Sequence, residues 1–264
     1  MTKSSVLLLT SAAVAVLVIS VFALSPATPV PPAKRKAVVV ELFTSEGCSS
    51  CPAADDVLGR IRTVAAGGAE VVPLGFHVDY WNHLGWRDRF SSSAFSSRQE
   101  SYANRFRLSG PYTPQMVVDG SQEFNGSSSR QAQDAIARAS SQPEEAEVQL
   151  ALSPDSKLSV HIKGLTAGAA GEVMLAVTED NLSSNISRGE NSGHFLRHAA
   201  VVREFRSLGQ LKNGLFEAEL PLTPAKDWKP NDLRVVVFVQ ASSRSPIAGA
   251  ASLPWNSGSG SGSR

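Results

Sequence analysis

A change of hydrophobic period near Pro143 constrains this chain more than any other feature of its sequence. Upstream of it, apolar runs of strand length alternate with segments whose apolar residues recur at helical spacing. KAVVVELFTS (36–45) is a β-branched run that reads as a strand. In the following EGCSSCPAADDVLGRIRTVAAGG, residues Ala54, Val57, Leu58, Ile61 and Val64 share one helical face, and Gly67-Gly68 closes it. AEVVPLGFHVDYW suits a strand buried on both faces, and residues 91–107 carry Phe95, Tyr102 and Phe106 at helical spacing. PYTPQMVVDG then reads as a short strand ending in an Asp-Gly turn, and SRQAQDAIARAS (129–140) as a surface helix. This order predicts an α/β domain with a parallel element over residues 37–142. Downstream the period is two. EVQLAL, KLSVHIKGL, EVMLAVTE, LFEAELPL and LRVVVFVQAS alternate or run apolar, with Leu158, Val160 and Ile162 opposed to Ser159, His161 and Lys163. Residues 143–255 are therefore expected to form a mostly antiparallel β-sandwich-like domain.

The ends of the chain stand apart from this pattern. Residues 6–24 are almost wholly apolar, longer than the usual core of a signal peptide and barely long enough to span a bilayer. Ser25-Pro26-Ala27 has the form of a cleavage site. Residues 1–27 read equally as a signal peptide and as an uncleaved membrane anchor, and both place the chain outside the cytoplasm, periplasmic or secreted. Membrane contact is expected only through that segment. Residues 28–36 read as a proline-rich tether and 256–264 as a disordered Gly/Ser tail.

Charge excludes one large class of function. Residues 36–140 carry 10 basic against 11 acidic side chains and 141–256 carry 11 against 13, so neither half has the basic excess of a nucleic-acid partner. The two cysteines, Cys48 and Cys51, are too few for a disulfide scaffold or a four-cysteine zinc module. Their position between a strand and a helix is informative. Unpaired N–H groups and the helix dipole at a helix start favour a thiolate, which lowers a cysteine pKa from about 8.5 toward roughly 3.5–7. Cys48 is expected to be the exposed nucleophile and Cys51, one turn inward, the resolving thiol. An inert structural disulfide and half of a metal site are the competing readings. In an oxidising compartment the pair is expected as a disulfide.

His77 and Asp79 end the second strand of the α/β layer, on the sheet edge that also carries Cys48. They could shuttle the thiol proton, or His77 could join Cys48 and Cys51 in a copper or zinc site, or it could be an ordinary strand-end histidine. Tyr80, Trp81 and Trp86 either lid the cysteine site or form a small core between the domains. Arg87, Asp88 and Arg89 read as a solvated charge cluster and His83 as a surface residue. In the polar stretch 181–198, Arg188, Glu190, His194, Arg197 and His198 either fold over the cysteine face or belong to a solvated insertion, the reading the sequence favours.

Four long motifs resemble one known family. VVVELFTSEGCSSCPAAD, PLGFHVDYWNHLGWRDRF with its following SRQ, YTPQMVVDG, and GENSGHFLRHAAVVREFRSLG are similar to the exported thioredoxin-like family catalogued as domain of unknown function 1223. The resemblance implies a thioredoxin-like fold for residues 37–142, extracytoplasmic placement and no known reaction. It also implies that Pro114 is a cis-proline packed against the cysteine pair, with Thr113-Pro114 as a substrate-docking edge. The leading expectation is a thiol–disulfide oxidoreductase with no cofactor, acting on a protein or small thiol/disulfide substrate. A metal-delivery protein using Cys48, Cys51 and His77, or a non-catalytic binding module, is the alternative.

Overall fold

The computed structural model describes residues 35–61, 68–165, 171–241 and 245–258. The expected signal or anchor segment, the tether up to Lys34, Val64 with Gly67, and the tail beyond Gly258 lie outside the described residues. Among those described, no helix is long and apolar enough to cross a membrane.

The first half begins with β1 (Ala37–Thr44), α1 (Pro52–Arg60) and β2 (Glu70–His77). β1 and β2 pair in parallel, from Ala37 opposite Glu70 to Thr44 opposite His77. Every residue of β1 is buried, which is why its sequence runs apolar instead of alternating. α2 (Ser93–Phe106) follows, capped by the Ser92 hydroxyl, which accepts from the Ala94 N–H. β3 (Gln115–Val118) pairs antiparallel with β1, β4 (Gln122–Asn125) pairs with β3, and α3 (Ser129–Ser140) closes this half. α1 and α3 bury Ala54, Val57, Leu58, Ala132, Ala135 and Ile136 against Val38, Val40 and Leu42 of β1. α2 buries Phe95 and Tyr102 among Val39, Phe43, Leu74 and Phe76 on the opposite face.

The second half adds β5 (Ala146–Leu152), β6 (Lys157–Gly164), β7 (Glu172–Glu179), β8 (Leu182–Asn185) and β9 (Phe195–His198). It ends with β10 (Val201–Gln210), β11 (Leu215–Pro221), β12 (Leu233–Gln240) and β13 (Ile247–Pro254). The sandwich is formed locally. The three-stranded sheet β11-β6-β5 packs Val148, Leu158, Val160 and Ile162 against Val173, Leu175, Val235 and Val237. The expected domain boundary at 142/143, however, does not separate two bodies. β13, β12, β7 and β10 continue the sheet of the first half in the order β13-β12-β7-β10-β2-β1-β3-β4. From Arg35 onward the chain is one compact unit, a mixed α/β structure dominated by this large sheet. The seam is narrow. The Gly75 N–H donates to the Ala200 carbonyl at 2.7 Å, and Val201 pairs in parallel with Gly75. A Cβ at Gly75 would stand 3.2 Å from the Ala199 oxygen, so the glycine lets β10 approach β2.

Two further expectations need correction at element ends. Lys36 is not tether: its ammonium bonds to Asp119 at 3.1 Å and to the Ala139 carbonyl at 2.8 Å, and its carbonyl accepts from Glu70. The polar stretch 181–198 is not an open loop, because β8 and β9 pair as a hairpin within it.

A buried ionic cluster ties the halves together. Arg98 of α2 donates to Glu41 of β1 at 2.6 Å and to Gln240 of β12 at 3.1 Å, while the Tyr102 hydroxyl donates to Glu41. The guanidinium lies over Phe76, Tyr102, Phe205 and Phe238, which come from both halves. Removing one member of a buried pair leaves the other charge uncompensated, which costs about 3–5 kcal/mol. Arg98→Met should therefore lower unfolding free energy by about that amount in urea melts, and adding Glu41→Gln should recover part of it. In the parent, Trp81 and Trp86 of the first half and Trp228 and Trp255 of the second should report a single transition. Two separated transitions would contradict the shared sheet.

Candidate functional site

The turn between β1 and α1 carries both cysteines, and Cys48 and Cys51 are joined in a disulfide. Cys51, rather than Cys48, occupies the N-cap of α1, and its carbonyl accepts from the Ala54 and Asp55 N–H groups. Pro52 starts the helix, where a missing N–H has no intrahelical partner to lose. Both cysteines have 0% exposure, while Ser49 and Ser50 between them face solvent. The expectation of an exposed Cys48 beside a protected Cys51 is thus corrected.

Groups distant in sequence cover the pair. Asn191 is buried and donates to the Glu46 and Cys48 carbonyls, both at 2.9 Å. Glu190 accepts from the Ser49 N–H at 3.1 Å. The stretch 181–198 therefore folds over the cysteine turn, against the solvated reading. Arg188, His194 and Arg197 remain exposed, and the Arg197 guanidinium stacks on exposed Phe195. Asp55, Asp56, Glu190 and Phe195 line a cavity of about 480 Å³ that reaches Ser49 and Pro52.

Beneath the disulfide turn lies a histidine–carboxylate network. His77 Nδ1 meets Asp88 Oδ2 at 2.6 Å with both side chains buried. The same carboxylate accepts from the Glu46 N–H at 2.9 Å. Glu46 in turn pairs with His198 Nε2 at 3.1 Å and accepts from Trp86 Nε1 at 2.7 Å. His198 Nδ1 faces Asp55 of α1 at 3.7 Å, and the two imidazole rings lie edge to face at 5.0 Å. Asp79, the other candidate for moving the thiol proton, accepts from the Ser96 hydroxyl and is not part of this network. Asp88 takes that place and is not part of a solvated cluster; only its neighbours Arg87 and Arg89 are exposed. One signal for it was present. Trp86, Asp88 and Phe90 alternate with the two arginines at period two, the pattern of a segment with one buried face. Glu46, Asp55, Asn191 and His198 had no comparable local signal as a group.

The cis peptide bond lies at Thr113-Pro114, immediately before β3. Pro114 and Ala54 of α1 both lie within 4 Å of the position a Gly126 Cβ would take, which brings the proline to the first turn of α1. Trp81 links this edge to the cysteine turn. Its Nε1 donates to the Thr113 hydroxyl at 2.8 Å, and its Cβ is 3.2 Å from where a Gly47 side chain would begin. Tyr80 and Trp81 also pack on the α2-side core, which draws Met174, Ala176 and Phe238 from the second half. The set Cys48, Cys51 and His77 is not gathered as metal ligands. The sulfurs are spent on each other, His77 is bound to Asp88, and no group of three metal-ligating side chains is found among the described residues.

The family model described as Protein of unknown function (DUF1223) matches residues 39–240. The crystal structure of protein AGR_C_4864 from Agrobacterium tumefaciens superposes with a TM-score of 0.68 at 27% identity, covering 83% of this chain and 95% of that one. HBP35 of Porphyromonas gingivalis superposes with a TM-score of 0.64 at 16% identity, covering 87% and 78%. No curated protein matches the chain.

The carboxylates around His198 favour its protonated form. Burial alone would pull the His198 imidazolium down, but the Asp55 and Glu46 carboxylates more than offset this and push its pKa up to about 9. Burial opposes ionisation of Glu46 and Asp88 as well. Hydrogen bonds from His198 and Trp86 to Glu46, and the interaction of His77 with Asp88, hold both below the usual carboxylate range. His198 binds its proton more tightly when folded, so its contribution is full below about 6.5 and is lost as pH rises through about 9. At 1.36 kcal/mol per unit this is up to about 3 kcal/mol. Glu46 and Asp88 act in the opposite sense, and their contribution is lost as pH falls through their lowered values. Urea midpoints should therefore fall between pH 6.5 and 9, and His198→Gln should flatten that decline. An unchanged slope in the variant would assign the decline to other groups.

Proposed function

The chain belongs to the DUF1223 family, and from that premise we propose that it is an extracytoplasmic thiol–disulfide oxidoreductase acting through Cys48 and Cys51 on a thioredoxin-like scaffold. The observation that carries the proposal is the disulfide itself, closed across three positions at the start of α1. As a staple such a bond does little. In the chain-entropy treatment a four-residue loop is worth about 2 kcal/mol, against about 4.7 for a hundred-residue loop. As a redox pair its placement is favourable, because the positive end of the α1 dipole favours a thiolate when the bond opens.

The surroundings support the same reading. The order β2-β1-β3-β4, with β1 parallel to β2 and antiparallel to β3, together with a cis-proline before β3, is what a thioredoxin-like resemblance implies. The apolar N-terminal segment supports export, and a disulfide persists in an oxidising compartment. In the proposed exchange a substrate thiolate attacks the disulfide, Cys48 becomes joined to the substrate, and Cys51 leaves as a thiolate. Its return attack on Cys48 regenerates the disulfide and releases the substrate thiol; attack by a second substrate thiol instead carries two electrons to the protein. Thr113-Pro114 is the proposed docking edge beside this sulfur.

The test is turnover in insulin reduction and exchange with glutathione redox buffers. Parent protein should accelerate exchange, and Cys48→Ser and Cys51→Ser should each fall to the uncatalysed rate. Cys51→Ala should accumulate mixed disulfides on Cys48. A parent no faster than the double-serine variant, at equal folding, would leave a binding module on the same scaffold.

A further inference from the structure

We propose that the segment Gly189–Gly193 is a strap that closes the disulfide off from thiols and must swing away before exchange can occur. The proposal rests on the reading of Cys48 and Cys51 as a redox pair only for its biological meaning. Its physical content is access to the bond. Three hydrogen bonds hold the strap down: two from Asn191 to the Glu46 and Cys48 carbonyls, and one from the Ser49 N–H to Glu190. All three end on main-chain groups of the cysteine turn, and the disulfide beneath has no exposed surface.

The strap is built to move about a fixed base. Ile186 and His194 close it, with the Ile186 N–H donating to the His194 carbonyl at 2.9 Å and the Gly193 N–H donating to the Ile186 carbonyl at 2.8 Å. Gly189 at φ +77° and Gly193 at φ +84° flank the tip in the left-handed region, where residues with a side chain are strained. Residues 187–190 and 192–195 are exposed, so Asn191 is the one buried anchor of the tip. A segment held by a few polar contacts and little apolar burial opens well below the global unfolding free energy. Glu190 and Asn191 also line the 480 Å³ cavity that ends at Ser49, one residue from Cys48. Lifting them joins that cavity to the sulfurs, which gives a substrate thiol its route.

The experiment follows reduction of the folded protein by dithiothreitol. One reagent thiolate attacks a cysteine sulfur, the Cys48–Cys51 bond breaks and the released cysteine takes a proton. The second reagent thiolate then displaces the protein, leaving two protein thiols and a cyclic reagent disulfide. Two ordinary hydrogen bonds are together worth roughly a factor of ten to thirty in an opening equilibrium. Asn191→Ala should be reduced faster by about that factor, and Glu190→Gln by a smaller one. Both variants are to be compared at matched folding by urea melts. The parent supplies a second measurement. If the strap opens locally, its reduction rate should depend only weakly on urea, far less than global unfolding does. The proposal is overturned if the parent is reduced as fast as its urea-unfolded chain, if its rate tracks global unfolding, or if Asn191→Ala is reduced no faster. A protein inactive on insulin whose Asn191→Ala variant is nonetheless reduced faster would remove the oxidoreductase reading and leave the strap standing.

Discussion

Arg98 is the point on which the rest of the structure depends. Its guanidinium is withdrawn from water, and burial alone would favour losing the proton; the adjoining Glu41 carboxylate more than reverses that and raises its pKa. Glu41 comes from the first strand, Arg98 from the central helix, and Gln240 from the strand whose partner is the last in the chain. An ion pair in such a place is weak as a source of stability, because desolvation offsets most of the attraction. It is strong as a specification. Any arrangement that separates the halves strands a charge in an apolar core lined by Phe76, Phe205 and Phe238.

That joining of halves is what assembles the site. The cysteine turn belongs to the first half, but what covers it and what neutralises it come from the second. β10 meets β2 at Gly75, and the residues just before β10 are therefore delivered to the end of β1. His198 lies two residues before that seam contact at Ala200, which places its ring between Glu46 and Asp55. A single glycine at a sheet seam thus fixes the position of a buried imidazolium next to a disulfide.

The two buried networks differ in character. Around Arg98 the cation is permanent and the surroundings aromatic, which suits a structural tie. Around Cys48 the cation is an imidazolium whose pKa of about 9 can be reached by ordinary changes of pH, and its partners flank the cysteine turn. Of the two cations, the imidazolium is the one that loses its proton more readily.

Several parts of this arrangement were legible in the sequence because they depend on neighbouring residues. The helices and most strands announce themselves through period, as Leu158, Val160 and Ile162 do in β6. The cysteine pair before α1, and the proline before β3 through its family resemblance, were readable in the same way. Asp88 could have been read from the alternation of Trp86, Asp88 and Phe90. The single sheet, the Glu46–His198 pair and the Asn191 cover could not. Glu46 and His198 stand 152 positions apart, and Cys48 and Asn191 stand 143 apart. What the sequence determined by itself is the set of local elements and the placement of the cysteine pair between a strand and a helix. Which strand edges meet, and hence which polar groups lose water together, was decided only by the tertiary structure. Burial and ion pairing are properties of segments brought together by backbone edges, and no window of consecutive residues contains them.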